Sequence, residues 1–247
     1  MRIIRDTQFV DPTVHGASTA IGNFDGVHLG HQAVNDIART AGQAIKAPLG
    51  VMTFEPHPRE FFAKDAPAFR LMNAEAKANR LEKLGVERLY EISFNARLAG
   101  LTAREFAQDI IADALGLKHI VVGRDFCFGK GRSGTSAMLK DFGAEMGFDV
   151  TIANLVQGVQ GNISSTNIRE ALSEGRPGDA EKMLGHYHRI EGEVIRGDQR
   201  GRHLGYPTAN MSIAGLHPPK FGVYAVRVDV LGGPHKGSYI GASSIGV

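Results

Sequence analysis

The sequence STAIGNFDGVHLGHQAVNDIARTAGQAI, residues 18–45, decides which fold the chain can adopt. Residues 18–22 have the apolar character of a short buried strand, and residues 31–45 have helical spacing. Between them, two glycines flank Asn23, Phe24 and Asp25, which predicts a tight turn. A strand that turns directly into a helix is the opening of a βαβ unit.

Strand and helix continue to alternate as far as about residue 184. Further strands are predicted at 48–54, 86–92, 119–123 and 148–154, and helices at 73–84, 102–115, 134–147 and 165–175. Helices between strands favour a parallel sheet and an α/β fold. Because ligands bind such sheets outside the carboxyl ends of the strands, we expect the loops at 22–31, 54–58 and 123–134 to share one rim.

The pattern changes in the last quarter of the chain. Residues 189–196 and 224–231 alternate apolar with polar side chains, and 238–245 is short and interrupted by glycine. This predicts antiparallel strands, as in part of a barrel or sandwich. We therefore expect one domain at 1–185 and a smaller one at 186–247.

Composition indicates a soluble cytoplasmic protein that acts on small molecules. The net charge of +2 gives no reason to expect nucleic acid or an anionic membrane as a partner. The single cysteine, Cys127, excludes an intrachain disulfide and a cysteine-rich metal site. No apolar run is long enough for a membrane span, and MRIIRDTQFV is not a secretory signal. Composition does not predict the oligomeric state.

His28 and His31 are the first candidate functional residues. They lie at the predicted start of a helix, where free backbone N–H groups and the positive end of the helix dipole attract phosphate. Their spacing lets both rings face one side and donate hydrogen bonds to charge that develops on phosphorus. The same pattern also fits a surface helix with two solvated histidines. Asp25 fits a turn-forming residue as well as a catalytic one.

A second candidate segment is ISSTNIR, residues 163–169. Ser165 or Thr166 can cap a helix here, while the hydroxyls of 164–166 and the free amides meet phosphate oxygens. Arg169, one turn into the helix, can bind phosphate as a fork. The alternative is an ordinary helix cap with a solvated arginine.

Four ordered segments resemble the bacterial FAD synthetases of the HxGH nucleotidylyltransferase superfamily. GNFDGVHLGH (22–31) resembles their signature GxFDGxHxGH, and TFEPHPREFF (53–62) resembles their TF(D/E)PHP segment. VVGRDFCFGKGRSGT (121–135) resembles their VVGxxFxFG stretch, and ISSTNIRE (163–170) resembles ISSTxIR. The resemblance implies a Rossmann-like domain that makes FAD and pyrophosphate from FMN and Mg·ATP.

The resemblance also implies roles for particular residues. His28 and His31 are implied to be catalytic. The implied nucleotide-binding residues are Gly22, Asn23, Phe24, Asp25, Gly30, Ser164, Ser165, Thr166 and Arg169. The implied flavin-binding residues are Phe54, Phe62, Asp125, Phe126 and Phe128, since flat aromatic side chains suit a flat ring. By residue type alone, these phenylalanines fit a hydrophobic core equally well.

GRHLGYPTAN, residues 201–210, resembles the riboflavin kinase signature of the bifunctional members of this family. Thr208 and Asn210 offer a hydroxyl and an amide suited to Mg²⁺ and ATP phosphate, although composition alone also fits a glycine-rich hairpin loop. In the resembling enzymes a strand with a catalytic glutamate follows, whereas this sequence ends at Val247. We therefore expect a partial β-barrel that does not phosphorylate riboflavin.

Two other functions fit part of the pattern. The first and last motifs of the α/β part also fit adenylyl or cytidylyl transfer to a different phosphorylated acceptor. The chain can also be a flavin- or nucleotide-binding protein without turnover.

Overall fold

The computed structural model describes residues 1–5, 7–8, 10–63, 65–154, 157–158, 161–197, 205–206 and 208–246. In chain order, the helices and strands of its first part are β1 (Arg2–Ile4), β2 (Ser18–Ile21), α1 (Leu29–Ala44), β3 (Leu49–Glu55), α2 (Pro58–Phe62), α3 (Ala74–Lys83), β4 (Arg88–Ser93), α4 (Ala96–Gly100), α5 (Ala103–Glu105), β5 (His119–Gly123), β6 (Cys127–Phe128), β7 (Gly134–Thr135), α6 (Ser136–Met146), β8 (Asp149–Ala153), β9 (Gln157–Gly158), β10 (Gly161–Asn162), α7 (Ser165–Ser173) and α8 (Pro177–Leu184). Helix α5 continues as a π-helix over Phe106–Ala114, and 3₁₀ turns lie at Pro12–Val14 and Lys130–Arg132.

Six strands form one sheet in the order β1-β4-β3-β2-β5-β8, and all of their pairings are parallel. This confirms the predicted α/β fold. From β2 the chain builds the sheet through β3 to β4 in one direction, and through β5 to β8 in the other. The strand order therefore reverses between β2 and β5, and open α/β sheets bind ligands at this kind of switch point. The carboxyl end of β2 leads directly into the loop at 22–28.

The central strands are buried on both faces, as their nearly continuous apolar sequences require. Every residue of β2 is buried, and so are the first six residues of β3. Local signals set the ends of the helices. Thr102 and Glu105 form a capping box at the start of α5, and Asn73 caps α3 by accepting a hydrogen bond from Ala76 N.

The second part contains β11 (Val194–Ile195), β12 (Asn210–Met211), β13 (Gly222–Val230) and β14 (Gly237–Ile245). They form two antiparallel pairs, β11 with β12 and β13 with β14, which confirms the predicted antiparallel strands. The strand predicted at 189–196 is shorter than expected. Residues 198–204 and 207, which include half of GRHLGYPTAN, lie outside the described residues. The division into 1–185 and 186–247 stays a prediction.

The sequence interpretation missed β1, the two-residue strands β6, β7, β9, β10 and β12, and the helices α2, α4 and α8. Helix α8 begins at Pro177. Proline is favoured at the first helical position. The N–H of any residue there has no partner within the helix, so proline, which has no N–H, loses no hydrogen bond. Within the described residues, no helix combines the length and the apolar character that crossing a membrane requires.

Gly143 allows α6 to pack closely on the chain that follows it. A Cβ atom at this position would lie 2.4 Å from the carbonyl oxygen of Phe148. A Cβ atom at Gly178 would instead meet no neighbouring atom of the described residues within 4 Å. We expect Gly143→Ala to lower the free energy of unfolding by about 1–3 kcal/mol, because backbone must move to admit the methyl group. Urea unfolding monitored by circular dichroism measures the change.

The matched control is Gly178→Ala in α8. Alanine is the better helix former and meets no obstacle there, so the free energy of unfolding should change by no more than about 1 kcal/mol, towards greater stability. Equal effects of the two substitutions would show that the contact between Gly143 and Phe148 does not restrict the side chain at residue 143.

Candidate active site

The loop between β2 and α1 has a strained backbone. Phe24 and Val27 have φ angles of 51° and 42°, and Gly26, between them, has a φ of 87°. Positive φ is costly for residues other than glycine, and such strain collects at functional sites. Gly26 also has no room for a side chain, because a Cβ atom would lie 2.7 Å from Cδ1 of Leu71. The surrounding structure must therefore hold this loop in place.

His28 and His31 stack on each other where the loop enters α1. Their ring centroids are 3.6 Å apart and the rings are 14° from parallel. His28 is the N-cap of α1, and its Nδ1 accepts a hydrogen bond of 3.3 Å from the backbone N–H of His31. An accepting Nδ1 carries no proton, so in the neutral ring the proton is on Nε2. The cap thus sets the tautomer of His28.

Gly30 lets the ring of His28 lie against the first turn of α1. A Cβ atom at Gly30 would be 3.1 Å from both Cε1 and Nδ1 of that ring, which is too close for an unshifted side chain. Gly30 thus leaves space for His28, and its implied contact with the nucleotide stays a prediction.

Both imidazoles are neutral near pH 7. Burial, aided by the positive charge of Arg169, lowers the pKa of His28 to about 4. Burial, the adjacent His28 and the charge of Lys77 hold the pKa of His31 well below its usual range. Within the described part of the chain, Nδ1 of His31 is buried without a hydrogen-bond partner. The pair therefore offers uncharged N–H donors.

The ring of Phe24 packs against the ring of His31. The Phe24 ring is only 1% exposed and lies 4.9 Å from the ring of His31. The implied contact of Phe24 with the nucleotide stays a prediction, because its buried side chain packs in the core. Gly22 and Asn23 lead from β2 into the same loop.

Asp25 and Arg169 form a buried ion pair that joins the two signature segments. Arg169 Nη2 donates to Asp25 Oδ2 at 2.5 Å, and its Nε donates to the carbonyl oxygen of Phe69 at 2.5 Å. The other oxygen of Asp25 accepts from Leu71 N at 2.8 Å. Asp25 therefore does more than form a turn. Two donors of Arg169 are used within the protein, so its implied phosphate contact stays a prediction.

The start of α7 corrects the predicted cap. Ser164, and not Ser165 or Thr166, is the N-cap, since its Oγ accepts from Asn167 N at 3.2 Å. Ser165 instead donates to the carbonyl oxygen of Asp25 at 2.8 Å, and Thr166 is exposed. The one-residue shift matters because it directs Ser165 towards the loop before α1. The first turns of α1 and α7 thus both adjoin that loop.

Three charged residues that the sequence interpretation missed lie beside the loop. Glu55 accepts from Lys77 Nζ at 2.7 Å and from both terminal nitrogens of Arg70, at 2.5 Å and 2.7 Å. Although burial raises the pKa of Glu55, the hydrogen bonds from Arg70 and the charge of Lys77 outweigh burial and leave this pKa below its ordinary value. A lysine in an amphipathic helix is typical of a solvated face, so no sequence signal separates Lys77 from surface lysines.

The implied flavin-binding residues fall into two groups. Phe54 and Phe128 are buried core residues that pack against Phe106. Phe62 is 69% exposed, and Asp125 is exposed as well. The rings of Phe126 and Phe128 stack, with centroids 5.5 Å apart. Contact of these residues with flavin stays a prediction.

The predicted magnesium ligands of the second part are exposed. Thr208 precedes β12, and Asn210 begins it. Among the described residues, no group of three or more His, Cys, Asp or Glu side chains could hold a metal ion. The role of Thr208 and Asn210 stays a prediction.

Breaking the ion pair between Asp25 and Arg169 should destabilise the fold. Asp25→Ala leaves a guanidinium group uncompensated in a mostly buried place, so the free energy of unfolding should fall by about 3–5 kcal/mol. The control is Glu174→Ala, which breaks an exposed pair with Arg176 and should cost no more than about 1 kcal/mol. Urea unfolding compares the two. Similar losses would contradict a structural role for Asp25.

The low pKa of His28 predicts acid destabilisation. His28 is neutral when folded down to about pH 4, whereas the unfolded chain takes up its proton near pH 6.5. Neutral His28 therefore stabilises the fold above pH 6.5, and this stabilisation is lost as the pH falls towards 4. Between about pH 7 and about pH 5, the free energy of unfolding should fall by about 2 kcal/mol. His28→Asn should remove this part of the pH dependence in urea unfolding at the two pH values. An unchanged pH dependence would show that His28 titrates normally in the fold.

Comparison with known proteins identifies the family. Residues 11–167 match the family described as FAD synthetase, and residues 184–247 match the family described as riboflavin kinase. The bifunctional riboflavin kinase/FMN adenylyltransferase of Escherichia coli (strain K12) is 41% identical over 217 residues, which cover 88% of this chain and 69% of that protein. The protein of the same name from Pseudomonas fluorescens is 39% identical over 247 residues, which cover 100% of this chain and 78% of that protein.

A solved structure supports the fold. The structure titled as a macrolide-efflux protein from Streptococcus pneumoniae has a TM-score of 0.83 and 33% identity, and the match covers 99% of this chain and 78% of that one. Its title names a different activity from the family descriptions and the curated relatives, so only its fold is compared. On the family match and the identity to curated relatives, the chain belongs to the bifunctional riboflavin kinase/FMN adenylyltransferase family.

Proposed function

We propose that this chain transfers the adenylyl group of ATP to FMN, giving FAD and pyrophosphate. The observation that carries the proposal is the stacked pair of neutral histidines at the start of α1, tied to the second signature segment by Asp25 and Arg169. The pair lies at the carboxyl edge of a parallel sheet, beside the switch in strand order, where nucleotides bind in such folds.

The reaction is an in-line displacement at phosphorus. A phosphate oxygen of FMN attacks the α-phosphorus of ATP, a new P–O bond forms, and the bond to the departing pyrophosphate breaks. Nucleotidyl transfer needs chiefly positioning and stabilisation of charge. The Nε2–H of His28 and the free amides at the start of α1 are suited to donate hydrogen bonds to the phosphoryl oxygens.

Neutral imidazoles suit this role. A neutral ring donates one hydrogen bond without a proton transfer, and its low pKa keeps that state over the physiological range. Arg169, whose guanidinium group pairs with Asp25, adds positive charge near the phosphates. Ser164, Ser165 and Thr166, at the start of α7, complete the proposed nucleotide site.

Magnesium fits the site as a partner of the ATP phosphates. The nearby carboxylates, Asp25 and Glu55, are each paired with cations of the protein, so they are poor candidates for metal ligands. Mg²⁺ is commonly held by substrate phosphates and water together with few protein ligands. When bound, it neutralises charge on the phosphates.

The aromatic side chains near the same edge are the proposed flavin contacts. Phe62 offers an exposed ring that packs edge-on against Phe94, at 5.7 Å between centroids. Phe126 is partly exposed beside Phe128, and Asp125 supplies a polar group. We further propose that the enzyme acts on small molecules without a nucleic-acid partner, because its net charge is only +2. We also propose that it is cytoplasmic, because a single cysteine fits a reducing compartment.

The direct test is to incubate the folded protein with FMN, Mg²⁺ and ATP and to measure FAD by chromatography. His28→Asn removes the Nε2–H donor but keeps a side chain that caps helices well, so kcat should fall by about 100- to 1000-fold with a small change in stability. The matched control is His235→Asn, because His235 is exposed on the second part; its activity should be unchanged.

Two results would contradict the proposal. One is a folded wild-type protein that makes no FAD, which would leave binding without turnover. The other is a preference for a different phosphorylated acceptor in competition with FMN, which would indicate another transferase on the same scaffold.

A further inference from the structure

We infer that Lys77 is a positioning residue for adenylyl transfer, because its buried ammonium group fixes the backbone of the β2–α1 loop that supports His31. The inference rests on the proposed function for its kinetic readout. It assigns a purpose to a charged group that the proposed chemistry does not use.

Lys77 is fully enclosed. Its side chain is 2% exposed, although it lies on α3 among residues of mixed polarity. A buried ammonium group is costly unless it is paired and all of its hydrogen bonds are made. Its three N–H groups meet three acceptors, one on each of Glu55, Thr53 and Asn23, at 2.7 Å, 3.0 Å and 3.5 Å. The group is thus satisfied by neighbours from β3 and from the loop.

Thr53 connects Lys77 firmly to the loop. Its hydroxyl accepts from Lys77 Nζ and lies 3.1 Å from the carbonyl oxygen of Asn23, to which it donates. Because an ammonium group can only donate, the hydroxyl hydrogen is left to point at Asn23. The carbonyl of Asn23 is therefore held by two donors, and Lys77 fixes the orientation of one of them.

The held carbonyl acts on the histidine pair through Phe24. Asn23 precedes Phe24, whose φ of 51° is unfavourable for this residue type. The fixed peptide keeps the ring of Phe24 buried and in contact with His31, with 4.9 Å between centroids. The path from Lys77 to the site thus has three contacts, to Thr53, to Asn23 and through Phe24 to His31.

The ion pair with Glu55 also keeps Lys77 in place. Glu55 is bound by Arg70 on its other side, so its carboxylate is fixed between two cations. The bond from Thr53 to Asn23 extends this network into the loop before α1, so a positioning role predicts an effect on His31 that a purely structural role does not.

The test compares Thr53→Val with Thr19→Val in the steady-state formation of FAD from FMN and Mg·ATP. Both threonines are fully buried, on neighbouring strands. Within the described residues, however, Oγ1 of Thr19 has no hydrogen-bond partner, so Thr19→Val is the matched control. Thr53→Val should lower kcat by about tenfold to 100-fold, as expected for a small misplacement of a reacting site, with KM for both substrates within about twofold.

Lys77→Met tests the charge itself, against Lys83→Met on the exposed side of the same helix. Lys77→Met should lower kcat at least as much as Thr53→Val does, and Lys83→Met should leave kcat unchanged. If Lys77→Met does not fold, Thr53→Val decides. In folded Thr53→Val, the imidazole nitrogen resonances of His31 should shift in the NMR spectrum, while Thr19→Val and Lys83→Met leave them unchanged.

The inference is overturned if folded Thr53→Val keeps kcat within about twofold of wild type and His31 resonances stay in place. Failure of the proposed function gives a different result, namely no FAD from the wild-type protein. In that case the His31 resonances alone decide whether Lys77 and Thr53 position the histidine.

Discussion

The ion pair between Asp25 and Arg169 is the interaction on which the site depends. It joins two residues 144 positions apart in sequence, one in the loop that carries the histidines and one in the second turn of α7. The carboxylate is 5% exposed, so its loss of hydration must be offset by good geometry. Hydrogen bonds from Arg169 and from the backbone of Leu71 supply that offset. Ser165 adds a bond to the carbonyl oxygen of the same aspartate, which fixes α7 against the loop.

Strain in the loop explains why so many partners hold it. Phe24, Gly26 and Val27 all have positive φ, and this conformation persists only when its surroundings require it. Asp25 is held from the side of α7, and Asn23 is held from the side of β3 and α3. The result places His28 at the N-cap of α1, with one ring nitrogen engaged and the other available. The stacked rings and their low pKa values follow from this burial.

The second part of the chain contacts backbone carbonyl groups of residues in and beside the same site. His217 donates from its backbone N–H to the carbonyl oxygen of Arg70 at 2.8 Å, and its Nε2 lies 3.0 Å from the carbonyl oxygen of Arg169. His186 approaches the carbonyl oxygen of Gly26 at 3.1 Å. The arginines that pair with Glu55 and Asp25 are therefore also among the points where the two parts meet. The regions that match the two families thus contact each other through backbone groups of residues that hold the β2–α1 loop in place.

The sequence by itself determined the parallel α/β fold and the antiparallel character of the last strands, and it pointed to the loop before α1 as the candidate site. Periodicity and glycine placement are local properties, so they can be recognised without knowledge of distant contacts. Four ordered motifs pointed to the family for the same reason. Tertiary structure alone decided that Asp25 pairs with Arg169, that Ser164 rather than Ser165 caps α7, and that Lys77 is buried. Each of these depends on which remote groups meet, because burial and charge pairing, not residue type, set the state of an ionisable side chain.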